Sequence, residues 1–197
     1  SVPVRQDKTQ LPRRFWWSLS VVALLLATEF TLTLWSADLL RERAGLGAAA
    51  AAASLAAVTG GMFIGRLYGS RLAQTWSIDR LLIASILLAL GGFAVAWLVA
   101  EPFVILTGLF VVGLGIAVHW PIGVSRAVAS SGGLTDRASA LSSVAAGAAS
   151  GIAPFILGAM SDTIGFHRAF LIVPLLLITA LVLIIAKPVR SSEPITS

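Results

Sequence analysis

Six runs of mostly apolar residues, each about as long as a bilayer's hydrocarbon core is thick, constrain this chain more than any other feature. A helix rises 1.5 Å per residue, so crossing roughly 30 Å of hydrocarbon takes about 20 residues. Runs of that kind fall at 15–37, 46–67, 81–100, 103–124, 138–160 and 169–186. A segment in lipid must satisfy its own backbone polar groups, which favours helices here. Only 12% of the residues are charged against 57% hydrophobic, far from the composition of a water-soluble domain. The expected fold is an all-α membrane protein: a linker over 1–14, a six-helix transmembrane bundle over 15–186 and a tail over 187–197.

Charge sets the orientation. Lys and Arg concentrate on the cytoplasmic side of membrane proteins. Counting alternate connections puts 11 basic residues on the side of both termini, among them Arg5, Lys8, Arg13, Arg14, Arg66, Arg71, Arg80, Arg126, Arg137, Lys187 and Arg190. The other side holds three, Arg41, Arg43 and Arg168. Both termini are therefore expected in the cytoplasm, with Trp16 and Trp17 as inner and Trp35 and Trp97 as outer interfacial anchors. The net charge of +5 is read as this topology signal rather than as a nucleic-acid surface, so no nucleic-acid partner is expected. With no cysteine, disulfides, thiolate nucleophiles and sulfur-held metals are excluded. The excess of arginine over lysine and the abundant alanine suggest a GC-rich bacterial gene, and so a bacterial cytoplasmic membrane.

Glu101-Pro102 makes a tight turn between the third and fourth runs, dividing the chain into two units of three. An odd number of spans per unit means that the second enters from the opposite side. The middle run of each unit closes similarly. The second ends GGMFIGRLYGSR, with Gly61, Gly65 and Gly69 four apart and Arg66 and Arg71 among them. The fifth ends PFILGAMSDTIGFHR, with Gly158, Asp162 and Gly165. Glycines at four-residue spacing share a helix face and let a neighbouring backbone approach, which is how helices associate in lipid. Together these point to an inverted 3+3 repeat, with Asp162 in a helix-end contact.

At these residues the chain resembles the major facilitator superfamily, specifically its carboxy-terminal six-helix half. The string Gly61 to Arg71 is similar to that family's loop motif, departing from it at Gly65, where an acidic residue is expected. GIAPFILGAMSDTIGFHRAF is similar to the family's penultimate helix, and GLFVVGLGIAVHWPIGV shares its glycine-rich character with a proline near one end. The resemblance implies a secondary transporter that moves a small-molecule solute by alternating access. It implies a partner in an amino-terminal six-helix half, the first and fourth helices facing the cavity, and the second and fifth lining the interface between halves. An opening at Ser1 rather than Met agrees with part of a longer chain.

Glu29, within the first run, is the most informative residue, because a charge at depth is costly and usually faces protein or water. Thr33 and Ser36 continue its face. Glu29 reads either as a proton carrier or substrate partner, or as a carboxylate hydrogen-bonded to Thr33 or a neighbouring helix. His119 reads either as a proton or substrate group, or as a neutral imidazole satisfied by a carbonyl that Pro121 frees. Trp120 offers a stacking surface or ordinary packing, and Arg126 an inner gate beside its topology role. His119 and His167 stand too far apart in sequence for a metal site, and no phosphate-binding loop occurs, so no metal or cofactor is expected. Two other classes remain open. One is a stand-alone six-helix module that pairs with a second copy. The other is an integral membrane enzyme, for which only Glu29 and His119 offer buried polar groups.

Overall fold

Helix ends follow local capping chemistry. In the computed structural model, which describes residues 10–45 and 47–189, α1 spans Arg13–Ala44 and stops at Gly45. Gly45 has φ 64°, a left-handed conformation that a side chain would disfavour. Next come α2 (Ala48–Leu72) and α3 (Ile78–Leu98), the latter capped by Ser77, whose hydroxyl accepts from the Arg80 N–H. Glu101 caps α4 (Pro102–Ile116) by accepting from the Val104 N–H at 3.0 Å, with Pro102 in the first turn. The remaining helices are α5 (His119–Ala129), α6 (Thr135–Ile164), α7 (Phe166–Ala169) and α8 (Ile172–Ala186). No strand occurs among the described residues. Arg5, Lys8, Arg190, Leu46 and most of the expected linker and tail lie outside them.

The helices form six rods, two of them interrupted, and both interruptions have one cause. Proline has no N–H and its ring collides with the carbonyl four residues back. Pro121 therefore ends regular hydrogen bonding at Ala117, and α4 gives way to α5 across Ala117 and Val118. Pro174 does the same at Phe170, between α7 and α8. The continuous spans expected at 103–124 and 169–186 are thus each two helices. Pro154, by contrast, sits inside an unbroken α6.

Five stretches are long and apolar enough to cross a membrane: Arg13–Arg43, Ile78–Leu98, Pro102–Ala129, Thr135–Ile164 and Phe166–Ala186. The sixth expected span, α2, has 25 residues but is not among them. Much of its apolar character lies at 48–51, whose side chains are outside the described set.

Glycine decides how closely the rods pack. A Cβ on Gly61 would run into the carbonyl of Phe110 and meet the Leu114 nitrogen at 2.9 Å. On Gly65 it would meet Ala117 and the Leu114 carbonyl at 2.6 Å, and Gly69 abuts Val118. Gly113 faces back onto Val58 and Gly61. The four-residue stripe on α2 therefore packs on α4 and the break after it, Gly61 against backbone, Gly65 against backbone and the Ala117 methyl, and Gly69 against the Val118 side chain. On the other side of α4, Gly108 and Gly115 lie against Ala96 and Ala89 of α3, and Gly92 reciprocates against Val112. The core then fills around α1, whose Leu25, Leu32 and Leu39 are fully buried.

In α8 the buried stripe Val173, Leu177, Ala180 and Ile184 faces inward, while Leu175, Ile178, Val182 and Ile185 stand exposed. Apolar surface on both faces is what a peripheral helix in lipid requires.

Candidate functional site

The length of α1 changes the position of Glu29. Because the helix runs from Arg13 to Ala44, Glu29 lies at its midpoint, where the sequence placed it two-thirds of the way along a shorter helix. It is half-buried, and no ion pair within 4 Å joins it to Arg66 of α2. Arg66, counted above among the loop charges, is thus inside α2, roughly a turn and a half before its end, with an exposed side chain. The Thr33 hydroxyl donates to the Glu29 backbone carbonyl at 2.8 Å rather than to the carboxylate. Ser36 is fully buried with an unpartnered hydroxyl, as is Thr31.

His119 stands at the restart of the broken fourth rod and is fully buried. Neither ring nitrogen has a hydrogen-bond partner, so the expectation of a carbonyl freed by Pro121 is not met. Its level follows from the packing. Helix α5 runs antiparallel to α1, with Ser130 on Ser18, and Gly123 against Val22 and Leu25. One further turn brings His119 to the level of 26–29 on α1. From the other side, Gly65 and Gly69 of α2 pack on Ala117 and Val118, next to His119 in the chain. Glu29 and His119 therefore lie at one level inside the bundle, with Arg66 beside Gly65 on α2, toward the end of that helix. Trp120 is half-buried against the core.

A buried imidazole with two idle nitrogens destabilises, because polar atoms removed from water without partners cost about 1–3 kcal/mol each. His119→Leu is therefore expected to melt at the same temperature as the parent chain in detergent, or higher. A clear fall would reveal a partner for the ring.

Toward the far end of α1 the structure assembles a cavity that the sequence did not disclose. About 690 Å³ in volume, it lies between α1 and α6 and is lined by Leu34, Trp35, Asp38, Pro154, Phe155 and Asp162 among others. The Trp35 indole donates to the Pro154 carbonyl at 3.2 Å, and its ring lies against Gly158, where a Cβ would come within 3.4 Å. Asp38 pairs with Arg41 at 3.2 Å. Asp162, expected only as a helix-end contact, thus shares a cavity with a second carboxylate 124 positions earlier. Gly165 closes α6 with φ 81°. Trp97 is tied down as well: its indole stacks on His167 at 4.3 Å and donates to the His167 carbonyl.

At the opposite end of the bundle, Arg126 is fully buried rather than lining an open mouth. Its Nε donates to Asp79 at 2.8 Å, one terminal nitrogen to the Ser18 hydroxyl at 2.8 Å, and the other to the Lys187 carbonyl at 2.6 Å. The second Asp79 oxygen accepts from the Val189 N–H at 2.6 Å. This guanidinium clasps the first turn of α3, the start of α1 and the end of α8. Ser130 and Ser131 are buried in a tight turn completed by Gly132 (φ 71°) and Gly133 (φ 102°). Arg71 is exposed near the same end.

Among the described residues no group of three His, Asp or Glu side chains forms a metal-binding cluster. No protein-family model matches the chain, and no curated protein matches it.

Proposed function

We propose that this chain is half of a secondary transporter, related to the carboxy-terminal half of the major facilitator superfamily, that moves a small solute by alternating access with proton coupling at Glu29. The observation that carries this reading is the level shared by Glu29 and His119 inside the bundle, with Arg66 near it on α2. Ionisable groups at such depth are costly, and membrane proteins keep them chiefly on substrate and ion pathways. A carboxylate within electrostatic reach of an arginine has a natural two-state cycle. Deprotonation draws the Arg66 guanidinium toward it, and protonation releases that charge to move or to meet a solute.

The unpaired surface of α6 supports a partner bundle. Ser143, Gly147 and Gly151 are spaced by four, and nothing lies within 4 Å of where either glycine's Cβ would be. The similar stripe on α2 is packed against α4. Small residues left open in lipid suit the close approach of another helix. Exposed Phe155, four residues after Gly151, extends the stripe on α6, and α2 leaves Phe63 and Leu67 exposed as well. An amino-terminal six-helix half would cover it, as would a second copy. In this reading the units of three are inverted, both termini are cytoplasmic, the membrane is a bacterial inner membrane, and the α1–α6 cavity is part of the solute path.

Glu29→Gln tests the coupling. In vesicles reconstituted with the complete protein, the variant is expected to lose solute uptake driven by a proton gradient while keeping its melting temperature. Unchanged gradient-driven uptake would overturn the role of Glu29.

A further inference from the structure

We propose that the pocket between the start of α1 and the ends of α5 and α8 binds the phosphate headgroup of an anionic phospholipid. A cavity of about 350 Å³ lies there, lined by Arg14, Trp17, Ser130, Lys187, Pro188 and Val189 among others. Two of the lining residues are cationic and none is acidic.

The cations are held by their stems. Arg14 spends its Nε on the Ser130 carbonyl at 3.2 Å, which fixes the guanidinium plane and leaves its terminal nitrogens for a ligand. Planar guanidinium forks suit phosphate oxygens particularly well. Lys187 is held through its backbone carbonyl, which accepts from Arg126, so its ammonium projects from a fixed point. The carboxylate nearby does not compete. Both oxygens of Asp79 are engaged, one by Arg126 and the other by the Val189 N–H in the pocket wall.

The surroundings favour a lipid over a free anion. The pocket lies at the helix ends, beside Trp16 and Trp17, which are 52% and 41% exposed, as interfacial anchors are. Trp17, Ala129, Ala186 and Pro188 give it apolar walls suited to the glycerol and upper acyl region. Basic pockets between transmembrane helices commonly take anionic headgroups. A lipid there bridges Arg14 and Lys187 and so braces the junction clasped by Arg126. This inference does not depend on transport.

Native mass spectrometry of the purified full chain tests it, with phosphatidylglycerol, phosphatidylcholine and inorganic phosphate as probes. The parent chain is expected to retain one phosphatidylglycerol in preference to phosphatidylcholine. In the double variant Arg14→Gln/Lys187→Gln that affinity is expected to fall by about 10-fold or more. Arg41→Gln, at the opposite end, is expected to leave it unchanged. Melting curves without lipid check that the double variant is folded. Three results would overturn the proposal: equal retention of phosphatidylcholine, an unchanged affinity in the folded double variant, or inorganic phosphate displacing the lipid at equal concentration. The last would assign the pocket to a free anion.

Discussion

Gly61→Val is expected to disrupt the bundle severely. Its added carbons have nowhere to go, because the atoms facing Gly61 are the Phe110 carbonyl, the Leu114 nitrogen and the Gly113 Cα, all backbone. A flexible side chain could swing aside, but a helix backbone can yield only by moving the whole rod. Overpacking in a dense core costs about 1–3 kcal/mol and occasionally more. With backbone on every side, the expected loss is about 3 kcal/mol or more, seen as early melting in detergent or loss of folded protein. Gly91→Ala is the contrasting change at an open position. Nothing lies within 4 Å of its Cβ position, and alanine favours a helix interior by about 0.5–1 kcal/mol. It should melt at or slightly above the parent temperature.

Arg126→Gln carries the second large effect. The arginine side chain is 1% exposed and that of Asp79 14%, so removing the guanidinium strands a carboxylate that is largely shielded from water. Breaking a buried pair by deleting one partner costs about 3–5 kcal/mol. The partial exposure of Asp79 pulls the expected loss to about 3 kcal/mol. The bonds to Ser18 and the Lys187 carbonyl go with it, so the end of α8 should loosen first. Adding Asp79→Asn should recover part of the loss, because the double variant strands no charge. Strictly additive losses would show that the two groups do not act as a pair. An undisturbed melt for Arg126→Gln would refute the clasp.

What could be read from the residues, and what could not, divides by range. The glycine stripe of α2 was legible because spacing by four fixes a face, and the structure packs that face on α4. The tight turn at Glu101-Pro102 was legible because its signals are adjacent in sequence. The breaks before Pro121 and Pro174 were present in the rule for proline, but the length of the apolar runs concealed them. Arg66 and Arg126 misled for a different reason. A basic residue near the end of an apolar run reads as a loop charge, and only the folded structure shows that one is buried and the other lies inside α2 with an exposed side chain. The pairing of Arg126 with Asp79, 47 positions apart, leaves no local trace. Nor does the meeting of Trp35 with Pro154, on which the α1–α6 cavity depends. The level of His119 with Glu29 likewise needed the antiparallel register of α1 and α5.

The mid-bundle charges matter to transport only if water and solute reach them from each side in turn. Thr33, half-buried one turn along α1 from Glu29, reports on that access, and this chain contributes no cysteine of its own. The decisive measurement is labelling of Thr33→Cys by a membrane-impermeant maleimide, in right-side-out and in inside-out vesicles carrying the complete protein. Alternating access predicts labelling from both faces, with each rate responding to a proton gradient. Labelling from one face alone, or from neither, would contradict it.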